Sequence, residues 1–206
     1  MNTTTPQPRL TDADALRVFE ESGALLSGHF VLTSGYHSDR YFEKFHVLRH
    51  PQHVETLCRE LAERARQTRP DVVLGPTTLG VLLAYEVAKH LRTPAAYAEK
   101  APPGAPTTRM LRRPEHVAPG QRVFVVDDIL TTGGSIRECL ELVSAIGATP
   151  CGVGVLVDRS AGGVTFGDDV PLVSLLTLNV EKWAPSELPD WLAAIPIAQP
   201  GSTGKK

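Results

Sequence analysis

The chain has 206 residues, 42% apolar and 21% charged, which suits one well-filled core and the composition of an ordinary globular protein. With 21 Lys and Arg against 23 Asp and Glu the net charge is −2, so no general attraction to nucleic acid or to an anionic membrane is expected. No stretch reaches the roughly 18 apolar residues of a membrane span, Met1 to Arg9 lack an apolar signal core, and Cys58, Cys139 and Cys151 are too scattered for a disulfide framework; a reducing cytoplasm is the expected location.

Thr11 followed by Asp14 has the form of a capping box, and Ala15, Leu16, Val18 and Phe19 carry a helix that Gly23 can end. A strand and turn follow from Phe30 to Gly35, then an aromatic stretch from Tyr41 to Phe45. Pro51 suits a helical first turn, and Val54, Leu57, Leu61 and Ala65 repeat at helical spacing. From Asp71 the rhythm becomes strand and helix in alternation. Strands are read at Val72 to Leu74, Ala95 to Ala98, Val123 to Val126, Val153 to Val157 and Leu172 to Leu178. Helices are read at about Gly80 to Leu91, Ser135 to Ile146 and Glu187 to Ala194. Such alternation predicts an α/β fold in one domain, with a parallel twisted central sheet flanked by helices. The polar tail, 195–206, is expected to be disordered.

Between Lys100 and Arg122 lie Pro102, Pro103, Pro106, Pro114 and Pro119 together with Arg109, Arg112 and Arg113. A connection this long is usually functional or mobile, and is expected to order only with ligand. His46, His50 and His53 are close in sequence, but Pro51 interrupts a shared helical face and no acid or cysteine completes a metal site.

The most informative segment is Val123 to Ser135. A continuous β-branched strand runs into Asp127 and Asp128, and Ile129 and Leu130 lead to a turn, Thr131, Thr132, Gly133, Gly134 and Ser135, that opens a helix. In open α/β sheets the carboxyl ends of strands are where ligands bind. Hydroxyls, approachable N–H groups and a helix N-terminus suit a phosphate monoester. Two adjacent acids resist joint ionisation unless hydroxyl donors or a cation relieve them, and the vicinal hydroxyls of a ribose, or a magnesium complex, would do so. An ordinary strand-to-helix turn with two solvated acids is the bland alternative.

This segment resembles the signature of the type I phosphoribosyltransferases, which bind phosphoribosyl pyrophosphate (PRPP). Gly23 to Ser38, with Tyr41 and Phe42, is similar to the small hood over the base site of orotate phosphoribosyltransferases. With Gly75-Pro76-Thr77-Thr78-Leu79-Gly80 and Val157-Asp158-Arg159, the resemblance runs from about residue 12 to 180. It implies an N-terminal helix and hood over about 10–48 and a PRPP-binding core over 70–180. It also implies a magnesium-dependent transfer of ribose 5-phosphate from PRPP to orotate, giving orotidine 5′-monophosphate and pyrophosphate in pyrimidine biosynthesis.

By the same resemblance Asp127 to Ser135, Ile129 and Leu130 included, hold the ribose phosphate, and Thr131 also reaches toward orotate. Arg159 pairs with the base, unless it is held by neighbouring Asp158. Tyr41 and Phe42 flank the base, and Lys100 is the loop cation. No direct protein ligand to magnesium is implied, since the diphosphate carries it, and a homodimer is expected. The chain departs from the pattern where the family places cations. Glu99 stands at an Arg position, His37 at a Lys of the hood and Leu79 at a Lys beside the diphosphate turn. Arg109, with Arg112 or Arg113, is therefore expected to act as a substitute catalytic cation when the loop closes. Two other functions fit the shared motif: transfer to a purine base, and a non-catalytic PRPP sensor.

Overall fold

The computed structural model describes residues 9–32 and 34–199. Helix α1 (Asp12–Glu21) starts on the expected capping box. The Thr11 hydroxyl accepts from the Asp14 N–H, and the Asp14 carboxylate accepts from the Thr11 N–H. Strands β1 (Leu25–Val31) and β2 (His37–Phe42) form an antiparallel pair, and α2 (Lys44–Leu48) and α3 (Pro51–Ala65) follow.

The alternating part gives β3 (Val72–Pro76), α4 (Leu79–Leu91), β4 (Ala95–Lys100), β5 (Arg109–Met110), β6 (Arg122–Leu130), α5 (Gly134–Ala145), β7 (Thr149–Asp158) and β8 (Leu172–Thr177). These strands form a six-stranded sheet in the order β5-β4-β3-β6-β7-β8, parallel throughout except for the short β5. After β3 the chain crosses to one side of the sheet, and after β6 it crosses to the other. The gap between the carboxyl ends of β3 and β6 is thus the switch point at which a crevice opens.

Each sheet face is apolar because parallel strands are covered twice. Phe124, Val126, Leu156 and Leu175 pack under α1, α3 and α4 with Phe19, Leu57, Leu61 and Leu83. Val72, Leu74, Val123, Val125, Val153 and Val155 pack under α5 with Ile136, Cys139 and Val143. Burying each large side chain is worth roughly 1.5–3 kcal/mol, so the two layers hold the crevice rigidly.

Three sequence expectations change. The strand expected to end at Val126 runs on to Leu130, because Asp127, Ile129 and Leu130 pair in register with Val155, Val157 and Asp158 of β7. The helix expected at Glu187 to Ala194 is a 3-10 turn at Pro185–Glu187 followed by α6 (Asp190–Ala193). The tail is ordered where it is described: β9 (Ile197–Ala198) adds in parallel to β1 beside His29 and Phe30. The hood is therefore a three-stranded sheet, β2-β1-β9, built from both ends of the described chain. Residues 200–206 of the expected disordered tail lie outside the described residues.

Candidate active site

Three adjoining hollows lie along the carboxyl edge of the sheet. The first, about 320 Å³, sits at the switch point and is lined by Lys44, Phe45, Thr77, Thr78, Asp127, Asp128 and Ser135 among others. Its floor needs two glycines. A Cβ on Gly75 would lie 2.0 Å from the Gly80 carbonyl oxygen, and one on Gly80 would meet the Pro76 ring at 2.6 Å. The β3–α4 turn can pass this close to itself only without those side chains.

The second hollow, about 210 Å³, is walled by Asp127, Ile129, Thr131, Thr132, Gly133, Gly134, Ser135, Ile136 and Glu138. Gly133 precedes α5 in the left-handed conformation, φ 76°, and no side chain caps the helix. Helix α4 likewise begins without a side-chain cap. Both N-termini therefore keep N–H groups for an anion.

The third hollow, about 380 Å³, lies under the hood between Val31, Leu32, Tyr41, Phe42, Thr131, Thr132, Arg159 and Lys182. Its walls are more apolar and aromatic, which suits a flat base.

Asp127 and Asp128 each lock one oxygen to the backbone. Asp127 Oδ1 accepts from the Asp128 N–H at 2.9 Å, and Asp128 Oδ1 from the Ile129 N–H at 2.7 Å. Burial, then the Asp128 charge, pushes the Asp127 carboxyl up to about 7, against opposing effects of Lys44 and Arg109. Lys44 Nζ lies 2.8 Å from Asp128 Oδ2. That contact is not aligned as a hydrogen bond, and Asp128 Oδ2 is a buried oxygen without a hydrogen-bond partner. Arg159 is held by its backbone, which donates to the Leu130 carbonyl at 2.8 Å, and its buried Nε also has no partner. The alternative of an Asp158 ion pair is not what forms: Asp158 accepts from the Ser160 N–H instead. Burial lowers the affinity of the Arg159 guanidinium for its proton, and Tyr41 opposes this.

The expected residues are thus largely gathered into one cleft, with exceptions. Leu130 is fully buried in the core under α5 and faces no hollow. Lys100 Nζ is paired with Glu138 at 2.6 and 2.7 Å. Arg109, expected as a substitute cation once the loop closes, is held within the protein here. Its side chain is 4% exposed, its Nε donates to Glu138 at 2.8 Å and a terminal nitrogen donates to the Ala98 carbonyl at 3.3 Å. Arg112 pairs with Glu99, and Arg113 donates to the Arg112 carbonyl. Burial raises the Glu138 carboxyl, but Lys100 and Arg109 outweigh it and leave the group below its ordinary range.

Sequence reasoning missed Lys44, Glu138 and Lys182. Lys44 and Glu138 meet the site through partners far along the chain, Lys182 lines the hood hollow, and no local spacing marks any of the three. It also missed the hood's histidine pair. His29 Nδ1 lies 2.9 Å from the Ile195 carbonyl and therefore donates to it; its Nε2 accepts from His37 Nδ1 at 2.6 Å. His46 donates to the Gly23 carbonyl at 2.9 Å.

A parallel sheet with an acid pair at its switch point and an uncapped, glycine-led helix beyond defines a phosphoribosyltransferase, and the phosphoribosyl transferase domain model matches residues 47–178. The orotate phosphoribosyltransferase of Pelotomaculum thermopropionicum is 46% identical over 193 residues, 94% of this chain and 98% of that relative. The crystal structure of the Aeropyrum pernix orotate phosphoribosyltransferase superposes with a TM-score of 0.68 at 34% identity, over 79% of this chain and 92% of that one. An adenine phosphoribosyltransferase from Thermoanaerobacter pseudethanolicus shares the fold at 21% identity, with a TM-score of 0.56 over 68% of this chain and 88% of that one. The chain belongs to the orotate phosphoribosyltransferase family.

Proposed function

We infer that this protein transfers ribose 5-phosphate from PRPP to orotate. The observation that carries the reading is the union of three hollows along one sheet edge: a phosphate turn, an acid pair and an aromatic base pocket with an unpartnered arginine. The 5′-phosphate sits on the N–H groups and hydroxyls of Thr131 to Ser135, helped by the α5 dipole. Asp127 and Asp128 accept hydrogen bonds from the ribose hydroxyls, an arrangement that gives Asp128 Oδ2 a partner. Arg159 pairs with the orotate carboxylate or a ring oxygen between Tyr41 and Phe42.

In the reaction the bond from C1 to diphosphate breaks and its electron pair leaves on the diphosphate. The orotate ring nitrogen bonds to C1, and its proton departs with the diphosphate. The sugar passes through a cation-like state, so fixed negative charge at Asp127 and Asp128 and exclusion of water by the hood lower the barrier. Lys100, released from Glu138, meets the leaving group; Arg109 is assigned the positioning of Glu138. Magnesium, when bound, spreads the charge of the diphosphate. The oxygen-rich wall of Thr77, Thr78, Asp127, Asp128 and Ser135 fits a hydrated ion carried in by that group, with no direct protein ligand needed.

A homodimer in the cytoplasm accompanies this reading. Exposed Leu82 and Tyr85 on α4 and Tyr97 on β4 offer apolar surface for a second copy, the three cysteines are free and buried, and no helix among the described residues is long and apolar enough to cross a membrane. The test is loss of orotate ultraviolet absorbance on adding PRPP and magnesium. No loss with orotate alongside turnover of adenine or another purine would move the assignment to that base.

A further inference from the structure

The hollow at the switch point must take a diphosphate that gains negative charge as the C1–O bond breaks. Among its described lining residues Lys44 is the one cation; the other walls are hydroxyls, a few apolar side chains and the two carboxylates. Lys44 opens α2, directly after the hood strand β2, and reaches across to the carboxyl end of β6. Its side chain is 39% exposed, while that of Asp128 is 8% exposed, so the lysine is the member of the pair free to move. The 2.8 Å approach to Asp128 Oδ2 is close but misaligned, a loose hold on a long flexible stem.

We propose that Lys44 is a catalytic residue that exchanges its ammonium between Asp128 in the free enzyme and the diphosphate of bound PRPP. The proposal rests on the assignment of this cleft to PRPP. In the free enzyme the ammonium neutralises one of two crowded acids. When the ribose hydroxyls donate to Asp128, the carboxylate has new partners and the lysine turns, within the same hollow, to the oxygens on which the electron pair of the breaking C1–O bond is left. One cation thus serves both states of the site, and its pull on the substrate grows as the bond lengthens.

The test compares Lys44→Met and Lys44→Arg with the unaltered enzyme. Loss of one electrostatic partner of the developing charge costs on the order of 10²-fold in kcat. Lys44→Met is expected to lose about that much, and Lys44→Arg to recover most of it. By calorimetry Lys44→Met is expected to bind magnesium diphosphate about tenfold more weakly, and to bind orotidine 5′-monophosphate, which lacks the diphosphate, unchanged. The loss of diphosphate affinity should persist when Lys44→Met is added to Asp128→Asn, where the neutralising duty has gone.

Normal kcat and diphosphate affinity in Lys44→Met would overturn the proposal. So would an equal loss of both ligands, or no further loss on the Asp128→Asn background, since each marks a purely structural role. Should Lys44→Met fail to fold, Lys44→Gln is put through the same comparison. An unaltered enzyme that turns over neither orotate nor any other base with PRPP would sink the functional assignment itself. An active enzyme indifferent to Lys44 sinks only this inference.

Discussion

The turn from β6 into α5 and the connection from β4 to β6 both border the cleft, yet they are built on opposite principles. The turn is fixed by its own backbone. Gly133 takes φ 76°, each acid accepts from the next residue's N–H, and the uncapped helix follows at once. The connection is fixed by a distant side chain: Glu138 on α5 holds Lys100 from β4 and Arg109 from β5 in one cluster. A site can thus have one wall written locally and another assembled from across the fold, and the second kind is the one free to rearrange.

Removing one acid from the locally built wall should have the largest effect. Asp128→Asn should lower kcat/KM by roughly 10²–10³, the scale of losing a preorganised charged partner of the reacting sugar, with little change in thermal stability. Steady-state assays and a melting curve check both halves. Next is Arg109→Ala. Its guanidinium is buried against Glu138, so the variant should lose about 2–3 kcal/mol in denaturant unfolding, less than a fully buried pair because Glu138 is 25% exposed and keeps Lys100. Its kcat at saturating PRPP should fall less than tenfold; a loss near that of Asp128→Asn would make Arg109 a direct participant instead.

Gly133→Ala tests the locally written wall. A methyl at a left-handed position, 3.2 Å from Phe166 and Val164, should cost about 1–3 kcal/mol of stability and weaken PRPP binding more than orotate binding.

The acid pair also predicts a pH dependence. Asp127 holds its proton up to about 7 in the folded protein but releases it near 3.8 when unfolded. The folded state therefore binds more protons between those values, and ligand-free stability should fall as pH rises through that window and level off above it. Asp127→Asn should abolish that slope in a series of urea titrations. PRPP affinity should move the other way, rising through about pH 7 as the carboxylate becomes available to the sugar hydroxyls. The smallest effect is expected for Arg112→Ala. It breaks only an exposed pair with Glu99, and should change stability by less than about 0.5 kcal/mol.

Much of the fold was legible because its signals are local. Runs such as Val123 to Val126 announce doubly covered strands, and the capping box at Thr11 sets the first helix. The turn from Thr131 to Ser135 into α5 was legible for the same reason. Less visible were features that depend on pairing across the sequence. The extension of β6 through Leu130 needs β7 beside it, and β9, only two exposed residues, carries no periodicity at all. Lys44 looks like any surface lysine until its ammonium is found at Asp128, and Arg109 reads as a mobile loop charge until Glu138 is placed behind it.

The closure of the hood by β9 sets an order of assembly. The residues lining the three hollows have all been made once the chain reaches Lys182, whereas the closure of the hood sheet waits for Ile195 to meet His29, 166 residues earlier. During synthesis a nascent chain would therefore carry the lining of the cleft before its hood sheet is closed. Trimming the protein just after α6 should reproduce that half-built condition, leaving β1 as a bare edge.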